Sequence, residues 1–464
     1  MMPFLQRIYN LVWGAPALVL IVSLGLCLTL CTGFAQIRLL PRSCLAFLRR
    51  MVGKGQAGDG VSSFQAVCTA LAATVGTGNL AGVAGALAIG GPGAIFWMWL
   101  CGILGMILKC AEATLAIHFR QKNQTGEYVG GPMYVIRNGL PKWLWPLAGI
   151  YAFFGLIASF GVGNATQINT VISAVESTAA SYGLWLSQGQ KLALGMVLAV
   201  LIGLALLGGA KRIGATTELL VPFAAGLYML LGICVLCLRF DQIPQAFSAI
   251  VHGAMDPSAV TGGMVGSFVV CLRTGMSRGV FTNEAGMGTA AIAHAGAQVR
   301  HPVEQGMMGI VEVFLDTIVI CTVTALVILC SGIGVPYGTD AGVTLTNDAF
   351  ALVLGPWVGV VIALSLCLFA IATVLGWGLY GIRCAQYLFG EGAWKWFALL
   401  QIVTVLFGAM VQGHTLWLMA EILNGLMAIP NLIALWVLLP TFMKLYKSYI
   451  HGGTYENFHQ CKPL

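Results

Sequence analysis

Gly76-Thr77-Gly78-Asn79 interrupts an apolar run that is otherwise long enough to span a membrane. Two glycines and a small amide are poor material for a continuous helix. In lipid, a helix break is tolerated only where it is buried in protein or lines a wet cavity. The half-helix that starts after such a break presents free N–H groups and the positive end of the helix dipole, which suit a carboxylate. The half that ends before it presents free carbonyls, which suit Na+ or an ammonium group. An amino acid carries both charges close together. The residues therefore point to amides around Gly78 and Asn79 for a carboxylate, and to carbonyls around Ala72 and Val75 for Na+. A simple packing kink is the plain alternative.

A second interruption is expected at Arg273-Thr274-Gly275-Met276-Ser277-Arg278-Gly279, inside another apolar segment. From there Phe268, Thr274, Gly275 and Ser277 would line the site. Gly163-Asn164-Ala165-Thr166-Gln167-Ile168-Asn169-Thr170 is a polar patch in an apolar helix. Buried amides in lipid need partners, so Gln167 is either glue between helices or a ligand contact. Thr373 and Trp377 lie one turn apart and so share a helix face.

Acidic residues inside spans cost about 2.5–3.5 kcal/mol on insertion scales and so need reasons. Glu112 follows Lys109 by three residues, and an internal ion pair is expected. Glu312 and Asp316 are expected to pair with Arg273 or Arg278. Glu284 is expected to order the cytoplasmic end of the second broken helix. Any of these, or Glu421, could instead carry a coupling proton.

The elements that position these residues follow from composition. Of 464 residues, 58% are hydrophobic and 8% charged, whereas a soluble protein carries about 25% charged residues. The expectation is an all-α polytopic membrane protein, residues 1–464 forming a single transmembrane domain. The net charge of +7 reads as lysines and arginines of cytoplasmic loops, not as a surface for nucleic acid. The cysteines lie mostly in apolar runs, and Cys234-x-x-Cys237 has no second pair to make a metal site. No G-x-x-x-x-G-K-[ST] loop, no G-x-S-x-G with a partner histidine and no histidine pair at ligand spacing occurs, which argues against ATP drive, hydrolase chemistry and haem.

A span needs about 20 apolar residues. Candidates run roughly over 13–33, 64–89, 92–118, 143–177, 190–208, 216–239, 259–283, 307–333, 356–383, 393–411 and 414–440, about eleven transmembrane helices. The long 143–177 segment and a possible lid at 334–355 leave the count open by one. Arg38, Arg42, Arg49, Arg50 and Lys54, Arg120 and Lys122, Lys211 and Arg212, Arg300, Arg383, and Lys444 and Lys447 all fall on one side of that arrangement. The N-terminus is therefore expected outside and the C-terminus in the cytoplasm. With 13–33 set aside as an extra N-terminal helix, five helices fill 64–239. Five more, including the last helix, fill 259–440. An odd number per set makes the second an inverted repeat of the first. Paired interruptions in corresponding helices point to a secondary transporter's site.

Several motifs resemble one family. Gly90-Gly91-Pro92-Gly93-Ala94-Ile95-Phe96-Trp97-Met98-Trp99-Leu100 looks like the signature of the bacterial alanine/glycine:sodium symporters. Ala73-Thr74-Val75-Gly76-Thr77-Gly78-Asn79, the segment from Arg278 to Gly288 and Thr373-Val374-Leu375-Gly376-Trp377 resemble it too, so the likeness spans essentially the whole chain. On physical grounds alone, Trp97 and Trp99 read as membrane-interface residues. The resemblance implies a leucine-transporter-like 5+5 inverted repeat with two unwound helices. It implies a secondary active symporter that couples Na+ entry to uptake of small neutral amino acids, alanine and glycine, by alternating access. The substrate would meet Thr74, Gly76, Thr77, Gly78, Asn79, Gln167, Phe268, Thr274, Gly275, Ser277, Thr373 and Trp377. Na+ would meet Ala72, Val75, Asn79, Ala370 and Thr373. Val374 stands where that architecture often carries a hydroxyl. Na+ would be the coupling ion with no further cofactor, and the chain would work as a monomer in the bacterial cell (inner) membrane. A proton-coupled amino-acid transporter, a channel and a membrane enzyme are the other classes to separate from this one.

Overall fold

A computed structural model describes residues 2–53, 61–265, 267–339, 341–411 and 413–455; Lys54 lies outside them. The chain is built almost entirely of helices, as a chain with no water to satisfy its backbone must be. An N-terminal pair, α1 (Met2–Val12) and α2 (Ala15–Cys31), is followed by α3 (Leu40–Val52). Then come α4 (Ser63–Thr74), α5 (Val83–Gly90), α6 (Gly93–His118), α7 (Pro146–Phe160), α8 (Thr166–Ser181), α9 (Gln188–Leu206) and α10 (Gly209–Leu238). After α11 (Ile243–Met255) follow α12 (Phe268–Asn283), α13 (Thr289–Ala295), α14 (Pro302–Val313), α15 (Cys321–Ser331), α16 (Gly342–Leu354), α17 (Val358–Phe389), α18 (Ala393–Met410), α19 (Gly413–Val437) and α20 (Leu439–Ile450). One hairpin of two-residue strands, Gln121–Lys122 with Tyr128–Val129, lies in the connection between α6 and α7 and leaves the all-α class unchanged.

Among the described residues, seven helical stretches are long and apolar enough to cross a membrane, or up to nine if each of two bent pairs is one span. This measure falls short of eleven partly because α2 has 17 residues and α12 has 16. The 143–177 segment is part of one apolar stretch, Lys142–Ser181. The 334–355 region forms α16, whose Thr346 Oγ1 donates to Leu80 O at 3.1 Å.

The first interruption lies where the sequence places it. Ser62 and Gln65 close a reciprocal cap at the start of α4, satisfying two otherwise unpaired N–H groups. The helix ends at Val75, which is extended at φ −78°, ψ 108°. The chain resumes through a π-helical turn at Gly78–Gly82, and the two halves are bent by 47°. Two more π turns, Gly161–Ala165 between α7 and α8 and Phe314–Ile320 between α14 and α15, interrupt other spans. Such turns are rare and frequent at functional sites.

The second interruption is displaced from its expected position. Residues 273–279 are continuous helix within α12. The helix is held closed by packing: a Cβ at Gly275 would come 2.3 Å from Ala94 O, and one at Gly279 would come 2.9 Å from Cys101 Cβ. These glycines serve close helix contact. The break follows at 284–288, where Glu284 (φ 54°), Gly286 (φ 89°) and Gly288 (φ 75°) are left-handed.

The buried charges also pair differently from the expectation. Lys109 Nζ lies 3.2 Å from Glu312 Oε1, on α14, and not in a pair with Glu112. Glu112 Oε1 instead accepts from Gly288 N at 3.0 Å and Asn431 Nδ2 at 2.7 Å. Asn431 Nδ2 also donates to Gly286 O at 2.9 Å, so this pair catches the loose backbone of the second break. Glu312 Oε2 takes His294 Nε2 at 2.9 Å, while Arg278 pairs with Glu421 at 2.8 Å; Arg273 lies over the Tyr9 ring. Trp97 and Trp99 are half-buried and spend their indole N–H groups on Ala254 O and Thr322 Oγ1.

Candidate functional site

The first break is held by one side chain. Asn79, fully buried, accepts from Gly76 N on Oδ1 at 2.8 Å. Its Nδ2 donates to Asp316 Oδ1 at 2.7 Å and reaches Cys321 Sγ at 3.3 Å. Thr317 Oγ1 donates to Asp316 Oδ2 at 2.8 Å, and Asn283 Nδ2 donates to Thr317 Oγ1 at 3.1 Å. The chain of bonds runs from the first break through a π turn to the end of α12, beside the second break. A buried amide with every group partnered fixes geometry, because leaving one unpaired costs about 1–3 kcal/mol.

Around the break lies a small cavity lined by Thr74, Gly76, Thr77, Gly78, Gln167, Thr373 and Trp377, together with Ala73, Val162, Phe281 and Glu284. The structure thus brings together seven of the substrate-site residues expected from the sequence. Thr77 Oγ1 donates to Gln167 Oε1 at 2.8 Å, and Gln167 Nε2 donates to Val162 O in the π turn at 3.0 Å. Trp377 fits because Gly163 has no side chain: a Cβ there would come 2.2 Å from Trp377 Cβ. Its indole Nε1 donates to Glu284 Oε1 at 3.0 Å.

Five expected substrate contacts do not line this cavity. The Asn79 side chain is engaged behind the break. Phe268, Thr274, Gly275 and Ser277 sit on the unbroken part of α12, where Phe268 stacks edge-on against Trp97 and Ser277 lines a separate small pocket with Tyr9, Arg278 and Glu421. Of the expected sodium residues, Thr373 lines the cavity, and its Oγ1 donates to Ala72 O at 2.8 Å. Ala72, Val75 and Ala370 are buried and do not line the cavity.

Glu284 and Phe281 are cavity residues the sequence reading did not place there. A signal existed: Gly286-Met287-Gly288 repeats the Gly-x-Gly pattern of Gly76-Thr77-Gly78. A wider pocket of about 360 Å³, lined in part by Thr69, Lys122, Glu127, Lys211 and Arg383, lies towards the basic loops. The central cavity itself has about 10 Å³ open, the room of roughly one water.

The family model for the sodium:alanine symporter family matches residues 1–459. A protein named sodium/alanine symporter AgcS, from Methanococcus maripaludis, is 42% identical over 93% of this chain and 94% of its own. An uncharacterised transporter of Haemophilus influenzae is 44% identical over 98% of both chains. The probable sodium/glutamine symporter GlnT of Bacillus subtilis is 34% identical over 95% of this chain and 89% of its own. Among solved structures, MhsT in complex with L-phenylalanine aligns with a TM-score of 0.58 at 15% identity, over 82% of this chain and 90% of that one. That likeness is one of fold, and it agrees with the leucine-transporter-like architecture.

Proposed function

The chain belongs to the sodium:alanine symporter family, and we propose that it couples Na+ entry to uptake of small neutral amino acids, alanine and glycine above all, by alternating access. The family and its named relatives support Na+-coupled amino-acid transport by a multi-pass membrane protein; the chain is a transporter and not an enzyme, with Na+ as a coupling ion and not a bound cofactor. One observation carries the reading: an interrupted helix at 75–78 faces a buried cavity with Gln167, Thr373 and Trp377 around it.

In this reading the amides at Gly78 and Asn79 hold the substrate carboxylate, with Thr74, Gly76, Thr77 and Gln167 around it. Carbonyls at Ala72, Val75 and Ala370 and the hydroxyl of Thr373 hold Na+, hard oxygens for a hard cation. The Asn79 side chain is committed to Gly76 and Asp316, and its backbone N–H donates to Gly76 O at 3.2 Å, a bond that a bound carboxylate would replace. Trp377 limits side-chain length. Bound Na+ favours the substrate-competent state, which is all that coupling requires.

Residues 64–239 and 259–440 are the two inverted repeats in this reading, after the extra helix at 13–33. A Gly-x-Gly break near the start of each supports it. The orientation is N-terminus outside and C-terminus cytoplasmic, in the bacterial inner membrane, with the monomer as the working unit.

The test is uptake of labelled alanine into proteoliposomes with and without a Na+ gradient, with glycine as competitor. Accumulation driven by inward Na+ is expected. Uptake that ignores sodium and follows pH would replace Na+ coupling by proton coupling.

A further inference from the structure

We infer that Glu284 receives the substrate's α-ammonium group, which makes it the residue that selects amino acids over other small carboxylates. The inference rests on the transport reading above and adds a recognition group to its site. Glu284 is 2% exposed, yet it lines the cavity that the first break faces. Among the described residues, the cavity lining holds this one carboxylate and no cationic side chain. Lys109 attracts Glu284, but its ammonium is engaged 3.2 Å from Glu312 and does not line the cavity. A buried carboxylate keeps part of its desolvation cost even when neutral groups donate to it, and a cation brought into the cavity would offset that cost.

The carboxylate is also aimed. Trp377 Nε1 donates to its Oε1 and Thr289 Oγ1 to its Oε2. A carboxylate has about four acceptor sites, so these donors fix its plane and leave sites for a ligand. The backbone conforms to the same end. Glu284 and Phe34 are the two non-glycine residues with positive φ among those described. Such a conformation costs about 1–3 kcal/mol and clusters at functional sites. Gly78, at the first break, packs against Phe281 and Thr282 at the end of α12. A zwitterion with its carboxylate at the first break therefore has a negative group available from the second for its other end.

The test uses the purified full-length chain with Na+ present. Binding of labelled alanine is compared with competition by lactate, which keeps the carboxylate and methyl but carries a hydroxyl for the ammonium. Radioactive Na+ binding is measured without amino acid. The wild type is expected to prefer alanine over lactate by about 100-fold, the value of a charge-assisted hydrogen bond. Glu284→Gln is expected to narrow that ratio to within about tenfold, with Na+ binding unchanged. Wild type that takes lactate as readily as alanine overturns the inference, as does Glu284→Gln that keeps the wild-type ratio. Loss of Na+ binding in Glu284→Gln would assign the carboxylate to the ion instead. If Glu284→Gln does not fold, Glu284→Asp decides: selective weakening of alanine supports the assignment, and equal weakening of both ligands overturns it. Wild type that binds no alanine at all would overturn the transport reading itself.

Discussion

Trp377 and Glu284 are joined by a 3.0 Å hydrogen bond across the central cavity, from the long helix α17 to the first residue of the second break. The bond ties a continuous rod to a point where the backbone is free to turn. Trp377→Phe keeps an aromatic ring, though a smaller one, and removes the donor. Its expected effect is about a tenfold loss of alanine affinity, from one missing hydrogen bond to a charged group. Equilibrium binding in saturating Na+ checks this; unchanged affinity would show that the bond positions nothing.

Thr373 Oγ1 touches Ala72 O at 2.8 Å, which places a hydroxyl and a carbonyl where a cation could bridge them. Thr373→Val removes the hydroxyl at nearly constant volume. The half-saturating Na+ concentration for alanine uptake should rise about tenfold, and Thr373→Ser should restore most of it. A sodium dependence identical to wild type in Thr373→Val would remove Thr373 from the ion site.

Gly76 tests how tightly the first break is enclosed. A Cβ there would come 2.8 Å from Thr373 Oγ1 and 3.7 Å from Gln167 Oε1. Gly76→Ala should therefore cut transport at least about tenfold by displacing site side chains, since overpacking costs about 1–3 kcal/mol. Uptake per folded molecule, counted after size-exclusion chromatography, is the measurement; wild-type uptake would mean that the cavity has slack.

Lys109 and Glu312 are both fully buried and 3.2 Å apart. Lys109→Met strands a carboxylate and should destabilise the chain by about 3–5 kcal/mol. The double change Lys109→Met with Glu312→Gln removes both charges and should recover much of that loss. Thermal unfolding in detergent separates the cases. A single variant as stable as the wild type would show that Glu312 is satisfied by His294 alone.

The sequence by itself determined the membrane class, the first interruption and the family. Each of these is written locally: in 58% hydrophobic composition, in two glycines and an amide inside an apolar run, and in motifs that need no partner to be read. Gln167, Thr373 and Trp377 were legible as neighbours of that break only through the family resemblance, and the fold brings them to one cavity. Only the tertiary structure decided where the second helix opens. Gly275 and Gly279 carry the same break signal as Gly286 and Gly288, but the first pair is consumed by close packing on α6. The second pair is released because Glu112 and Asn431, distant in sequence, take up its free backbone groups. The partner of Lys109 was settled in the same way. Glycine and buried charge each have two uses in a membrane, and which one applies depends on what the fold brings within hydrogen-bond reach.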